Sequence, residues 1–235
     1  MRRIYLFRLF IRLAIFLWAG WLYFVEPAAL DIGRLAFFSE ISKAHIIWAC
    51  LLIGMLLPHI PNAKVSLGCL KQHKKYYWPD EPVDRLGLAQ YIRTSDRRAL
   101  IIGILWVVSN ALLWILYWVK WIDAAGLLLV VLFFSVCDLI CVLFICPFQW
   151  IMKNRCCVTC RIFSWDHLMM VMPLIPVKGF FSYSLYLTAL ILLIIWERVW
   201  RRSPERYWSG SNRALRCKSC KAPLCQWKKT DRTRA

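Results

Sequence analysis

Five apolar runs, at about residues 7–25, 45–60, 101–119, 125–147 and 168–196, decide what this chain can fold into. At a rise of ~1.5 Å per residue, a run of about 20 residues crosses the ~30 Å hydrocarbon core of a bilayer. Charged residues make up 19% of the 235 and fall in blocks between the runs, where a soluble domain would scatter them at helical or strand spacing. The predicted fold is therefore an all-α, polytopic transmembrane helix bundle. Residues 1–200 form the membrane domain and residues 201–235 a basic, Cys-rich tail.

The net charge of +18 belongs to the same picture. Lys and Arg collect beside the apolar runs, where an anionic leaflet holds them. No helix-turn-helix or RNA-binding signature accompanies the charge, so the partner is a bilayer with anionic headgroups and not a nucleic acid. The first run ends in LYFVEP without a small-residue cleavage site, which predicts a retained span with Arg8 and Arg12 snorkelling to the surface. Segment 61–98 reads as a polar loop with short surface helices. The tight connection WIDAAG makes the third and fourth spans antiparallel neighbours.

Topology turns on the last run, LMMVMPLIPVKGFFSYSLYLTALILLIIW. If all five runs cross, Lys and Arg divide 15 against 15 between the two faces with Lys178 set aside, and the positive-inside rule selects neither orientation. If the last run enters and leaves on one face, the division becomes 27 against 3. Pro173, Pro176 and Gly179 supply the break that such a path needs. The expectation is four spans plus a re-entrant or fifth helix, with the tail in the cytoplasm.

The chain has 11 cysteines. Cys50, Cys137, Cys141 and Cys146 lie within spans, where a thiol serves as a small buried hydrophobe. Cys156, Cys157 and Cys160 form CCVTC, and Cys217, Cys220 and Cys225 form CKSCKAPLC. Each cluster holds a C-x-x-C pair. Together Cys157, Cys160, Cys217 and Cys220, with Cys156 and Cys225 as alternates, have the ligand number and local spacing of a Cys₄ zinc site. In a reducing cytoplasm such pairs bind metal more often than they form disulfides. Neighbouring Lys and Arg, Arg161 among them, favour the thiolate. An iron–sulfur cluster accepts four thiolates too, but neither spacing matches the ferredoxin runs.

Inside the spans, Asp138 is the costliest residue, and an intramembrane carboxylate is a functional candidate by default. Counted from the inner ends of the third and fourth spans, Asn110 lies at a matching depth and is its expected partner. His59 and His167 read as interfacial, His167 also as a spare ligand or an outer neighbour of the cysteine loop. No H-E-x-x-H, G-x-S-x-G, P-loop or dinucleotide fingerprint occurs.

The run from Cys146 through CCVTCRIFSWDHLMM, with SPERYWSGSN and the tail CKSCKAPLC, resembles a family of uncharacterised bacterial integral membrane proteins over residues 146–225. The resemblance implies a bacterial cytoplasmic membrane and one design linking the two clusters, but no activity. Three functions are open on the sequence. One is a scaffold or regulatory protein whose zinc site joins loop to tail, docking another membrane protein. The others are a membrane thiol–disulfide oxidoreductase using a C-x-x-C pair, and a small transporter using Asp138.

Overall fold

The computed structural model describes residues 2–33, 35, 37–38, 41–60, 72–80, 82–154 and 160–219. Helix accounts for 77%, with no strand among the described residues. In chain order the helices are α1 (Arg2–Val25), α2 (Lys43–Leu56), α3 (Arg85–Trp118), α4 (Ala124–Leu143), α5 (Phe148–Met152), α6 (Asp166–Val171) and α7 (Phe180–Arg202). Short 3₁₀ turns join them, and two of these extend α2 and α6, at Leu57–His59 and Met172–Leu174.

Start signals lie where the sequence supplies them. Asp84 caps α3 by accepting from the Gly87 amide at 3.0 Å, and Asp123 caps α4 by accepting from Gly126 at 2.7 Å. At α2, His45 Nδ1 accepts from the Ser42 amide at 3.0 Å while Nε2 donates to the Phe37 carbonyl at 2.8 Å. Helix α3, with 34 residues, joins the third apolar run to the polar stretch before it. The predicted surface helix at its start and the predicted span are therefore one helix.

α1 and α4 pack antiparallel along their full length. Tyr5 meets Leu139 and Leu143 near one end, Arg12 reaches Asp138 near the middle, and Tyr23 lies beside Asp123 at the other end. α2 runs parallel to α7, with Trp48 donating to Ser184 at 2.8 Å and Trp196 donating to His59 at 2.8 Å. The main core lies between these helices, around Leu22, Ile47, Met55, Leu127, Val131 and Phe181.

The last apolar run doubles back. Its incoming arm starts at Arg161, which is bonded to Glu197 near the far end of α7. That arm passes through α6 and ends at Val177, close to Gly33. Pro173 and Pro176, which lack amide hydrogens, break it into short pieces. Gly179 then turns the chain at φ +146°, where an added Cβ would stand 2.9 Å from the Ile32 carbonyl oxygen. Only glycine fits that conformation and that approach. Of the two expected paths, the structure has the one that enters and leaves at the same end, and the incoming arm runs the length of the returning helix.

The start of α1, His59, Asp84, the α4–α6 connection and the chain beyond Arg202 therefore share one end of the bundle. The opposite end holds the 26–42 connection, the α3–α4 turn and Gly179. Among the described basic residues, only Lys43 (paired with Glu26), Lys120 and Lys178 belong to that opposite end.

Four helices, α1, α3, α4 and α7, are long and apolar enough to cross a membrane. Their outward faces are apolar: Phe10, Leu17 and Trp21 on α1, Ile104, Val108 and Leu112 on α3, and Leu187 and Ile191 on α7 are all exposed. Such faces suit hydrocarbon and not water. Trp121 at one end and Trp150 at the other are 79% and 87% exposed, where interfacial indoles belong.

Candidate functional site

The stretch Cys160–His167, CRIFSWDH, brings the polar parts of the bundle together. Arg161 is buried among carboxylates and rings. Its guanidinium donates to both oxygens of Glu197 at 2.7 Å and to Asp96 at 2.8 Å. It also lies 4.5 Å from the Trp200 ring centroid and 5.3 Å from that of Trp165. Trp165 Nε1 donates to the same Glu197 at 2.7 Å. One side chain thus ties α3, the incoming arm and α7 together. Its charge is committed to carboxylates, which gives Arg161 a structural role.

Beside this stretch, a cavity of about 230 Å³, with a mainly apolar wall that carries six Arg, His and Asp side chains, opens between α1, α2, α4 and α6. Arg8, Arg12, His59, Asp138, Asp166 and His167 line it, and Gln72 lies on its wall from the 72–84 connection. It occupies the half of the bundle nearest the basic end.

Asp138 is paired with Arg12, whose Nη1 donates to its carboxylate at 2.8 Å and to the Ser135 carbonyl at 2.6 Å. The expected Asn110 partner is elsewhere: its Nδ2 donates to the Trp106 carbonyl of its own helix at 2.8 Å. Matching depth placed the wrong neighbour because α4 turns Asp138 towards α1. Arg12 correspondingly points inward and does not snorkel. In a low-dielectric interior a full opposite charge outcompetes a neutral amide for a carboxylate.

The two histidines form a relay whose hydrogen positions follow from its ends. Trp196 Nε1 can only donate, so His59 Nδ1 accepts at 2.8 Å. The neutral His59 ring then carries its hydrogen on Nε2 and donates to His167 Nε2 at 3.1 Å. His167 is left with its hydrogen on Nδ1, facing Asp166 Oδ1 at 3.2 Å. The order is Trp196, His59, His167, Asp166, with each donor pointing towards the carboxylate. The sequence treated both histidines as interfacial, and 108 positions separate them. The available signal was that His59 and His167 lie at the ends of apolar runs and Asp138 within one, where ionisable residues pair with one another.

The cysteine module falls mostly outside the described residues. Cys156, Cys157, Cys220 and Cys225 are among those not described, as is the side chain of Cys217. Cys160 is described and lies beside Arg161. No three His, Cys, Asp or Glu side chains are grouped to hold a metal among the described residues.

The chain leading to the tail cysteines is docked at the basic end. Asn212 pairs with Pro79 in an isolated bridge, Arg213 N donates to the Trp78 carbonyl at 2.8 Å, and Asp80 takes Arg213 and Arg216 together. Tyr91 donates to the Tyr207 carbonyl at 3.2 Å. The Arg213 hydrogen bond, with Arg216 adding to it, holds the Asp80 carboxyl below the usual aspartate value.

Fold and site define a helical chain with membrane-spanning character and an ionisable cavity inside one half of the bundle. No family model, no curated protein and no solved structure matches it.

Proposed function

We propose that this is a multi-pass membrane protein of the binding or transport class, which admits a small polar solute to the Arg12–Asp138 cavity from the basic face. The observation that carries this is an ion pair and a two-histidine relay converging on one cavity within the bundle. Intramembrane charges are costly and mark solute, ion or proton paths. Asp138 is the gate, holding Arg12 until a solute competes for it. Asp166, reached through His167 and His59, takes up or releases a proton as that competition changes the local charge. By the positive-inside rule the basic end faces the cytoplasm.

The native Cys50 lines this cavity and tests it. In oriented vesicles, a hydrophilic methanethiosulfonate applied to the basic face should modify Cys50, as read by mass spectrometry. A solute panel on the detergent-solubilised protein should contain a stabilising compound, since one present at 100 times its Kd adds about 2.7 kcal/mol. That stabilisation should vanish in Asp138→Asn. An inaccessible Cys50 together with a panel that stabilises nothing would refute the reading.

A second reading concerns the tail. The docking of residues 204–216 brings the chain entering the tail cysteines to the end of the bundle where Cys160 emerges. This favours a zinc clip in a structural or regulatory role, drawn from Cys157, Cys160, Cys217 and Cys220 with Cys156 and Cys225 as alternates. Metal analysis should give about one zinc per chain, lost in Cys217→Ser/Cys220→Ser. The oxidoreductase alternative needs an outward-facing loop, and so places the basic end outside, against the charge rule.

A further inference from the structure

A second cavity, about 120 Å³, shares Asp138 and Asp166 with the first. Cys137, Cys141, Cys146, Cys160, Met169 and Met170 are among the residues that line it. Cys137 and Cys141 stand one turn apart on one face of α4, Cys146 follows that helix, and Cys160 and the two methionines come from the incoming arm. Five cysteine side chains are described, none in a disulfide, and four of them line this space, while Cys50 lines the first cavity. A packed core needs only small apolar groups of suitable size, which Ala or Val supply equally well. That six sulfur-bearing residues from separate segments line one space has a chemical meaning that packing does not require.

We propose that this cavity is a binding site for a soft monovalent d¹⁰ metal ion, Cu(I) by preference. Thiolate and thioether ligands select Cu(I), while hard cations take oxygen. Such an ion is content with two sulfurs in a near-linear arrangement. The site therefore does not need the three grouped ligands that a zinc or iron centre demands and that no described residues provide. Trp106, Phe134 and Phe148 make much of the remaining lining apolar. One thiolate plus one thioether around Cu(I) is neutral overall, which suits a largely apolar lining.

Binding replaces the S–H bond of one cysteine by an S–Cu bond and releases one proton. The Asp166 carboxylate borders both cavities and accepts that proton. No electron moves. Cys160 belongs to this wall and to the proposed zinc set. The metal site stands whether or not the first cavity takes a solute.

The test is anaerobic Cu(I) titration against bicinchoninate, using full-length protein with Cys69, Cys156, Cys157, Cys217, Cys220 and Cys225 changed to Ser. One Cu(I) per chain is expected, with copper–sulfur scattering in the X-ray absorption spectrum. Adding Cys137→Ala/Cys141→Ala should weaken binding at least 100-fold, whereas adding Cys50→Ala should not alter it. Absence of Cu(I) binding in the serine variant, or equal binding after the α4 cysteines are removed, would overturn the site.

If the serine variant does not fold, wild-type protein answers the question through its copper-loaded peptides. Protection of Cys137 and Cys141 from alkylation, with Cys50 unchanged, supports the site; protection confined to the loop and tail cysteines refutes it.

Discussion

At the residue scale, Arg161 is the side chain on which the basic end of the bundle is built. It is 6% exposed and satisfies two carboxylates, and it lies between two indoles. A buried cation with that set is expensive to disturb, because removing it leaves the Glu197 carboxylate without its bidentate partner. Arg161→Ala is expected to cost about 3 kcal/mol, as breaking a buried ion pair does. Arg161→Lys should recover only part of this, since an ammonium cannot make the bidentate contact or stack on Trp200. Thermal unfolding in detergent with helical circular dichroism checks both, and an unchanged midpoint in Arg161→Ala would refute the assignment. The sequence showed Arg161 only as one of several cations beside the thiols. Its partners lie 65 and 36 positions away, and no local pattern announces them. Asp138 was legible because a carboxylate in an apolar run is conspicuous alone. Its partner was not, since depth fixes a level in the bundle and leaves the rotation of the helix undetermined.

At the element scale, the turn at Gly179 and the docked tail decide how the last third of the chain is arranged. The prolines, the glycine and the polar residues after it were visible in the sequence as a break, and the balance of Lys and Arg favoured a path that returns. What the sequence left open was how deep the incoming arm goes, because prolines leave too little regular helix to count turns. Gly179→Ala should destabilise the hairpin by about 2 kcal/mol, through forbidden backbone geometry and contact with Ile32. Faster hydrogen exchange across 172–185 would register this, and unaltered exchange there would show that the turn tolerates a side chain.

The tail contact has a pH signature whose sign follows from Asp80. Its folded pKa lies below its unfolded value of about 3.9, so its contribution is present above that value and fades as pH falls through the folded one. Docking of residues 208–216 is therefore expected to be indifferent to pH between 5 and 8 and to loosen only in stronger acid. Asp80→Asn should loosen it at neutral pH, seen as faster tryptic cleavage at Arg213 and Arg216, and high salt should weaken the wild-type contact in the same direction.

At the scale of the whole molecule, the doubled-back last run collects most of the described Lys and Arg at one end of the bundle. A last run that simply crossed would put Arg161 and Glu197 on opposite sides of the bilayer, which their 2.7 Å contact forbids. The apolar runs revealed the all-helical membrane class directly, since hydropathy is a property of composition. Six lengths of chain traverse the bundle, yet only four are helices of spanning length, because α2 is short and the incoming arm is broken. The incoming arm is packed into the core through Met170, Val171, Leu174 and Val177, which explains why irregular backbone is tolerated there.

The arrangement predicts which positions share a side. Lys153→Cys, in the α5–α6 connection, and Ser209→Cys, in the docked tail, should react with an impermeant maleimide from the same face of a sealed vesicle. Lys120→Cys and Lys178→Cys should react only from the other face. Lys178 is the discriminating position. If the last run made one straight crossing, the segment around Lys178 would lie at mid-depth and resist labelling from either side, and Ser209→Cys would part company with Lys153→Cys. Labelling of Lys178→Cys together with Lys120→Cys, and of Ser209→Cys together with Lys153→Cys, requires that the last run cross twice. It would also place both cysteine clusters in one compartment, the condition on which the zinc clip depends.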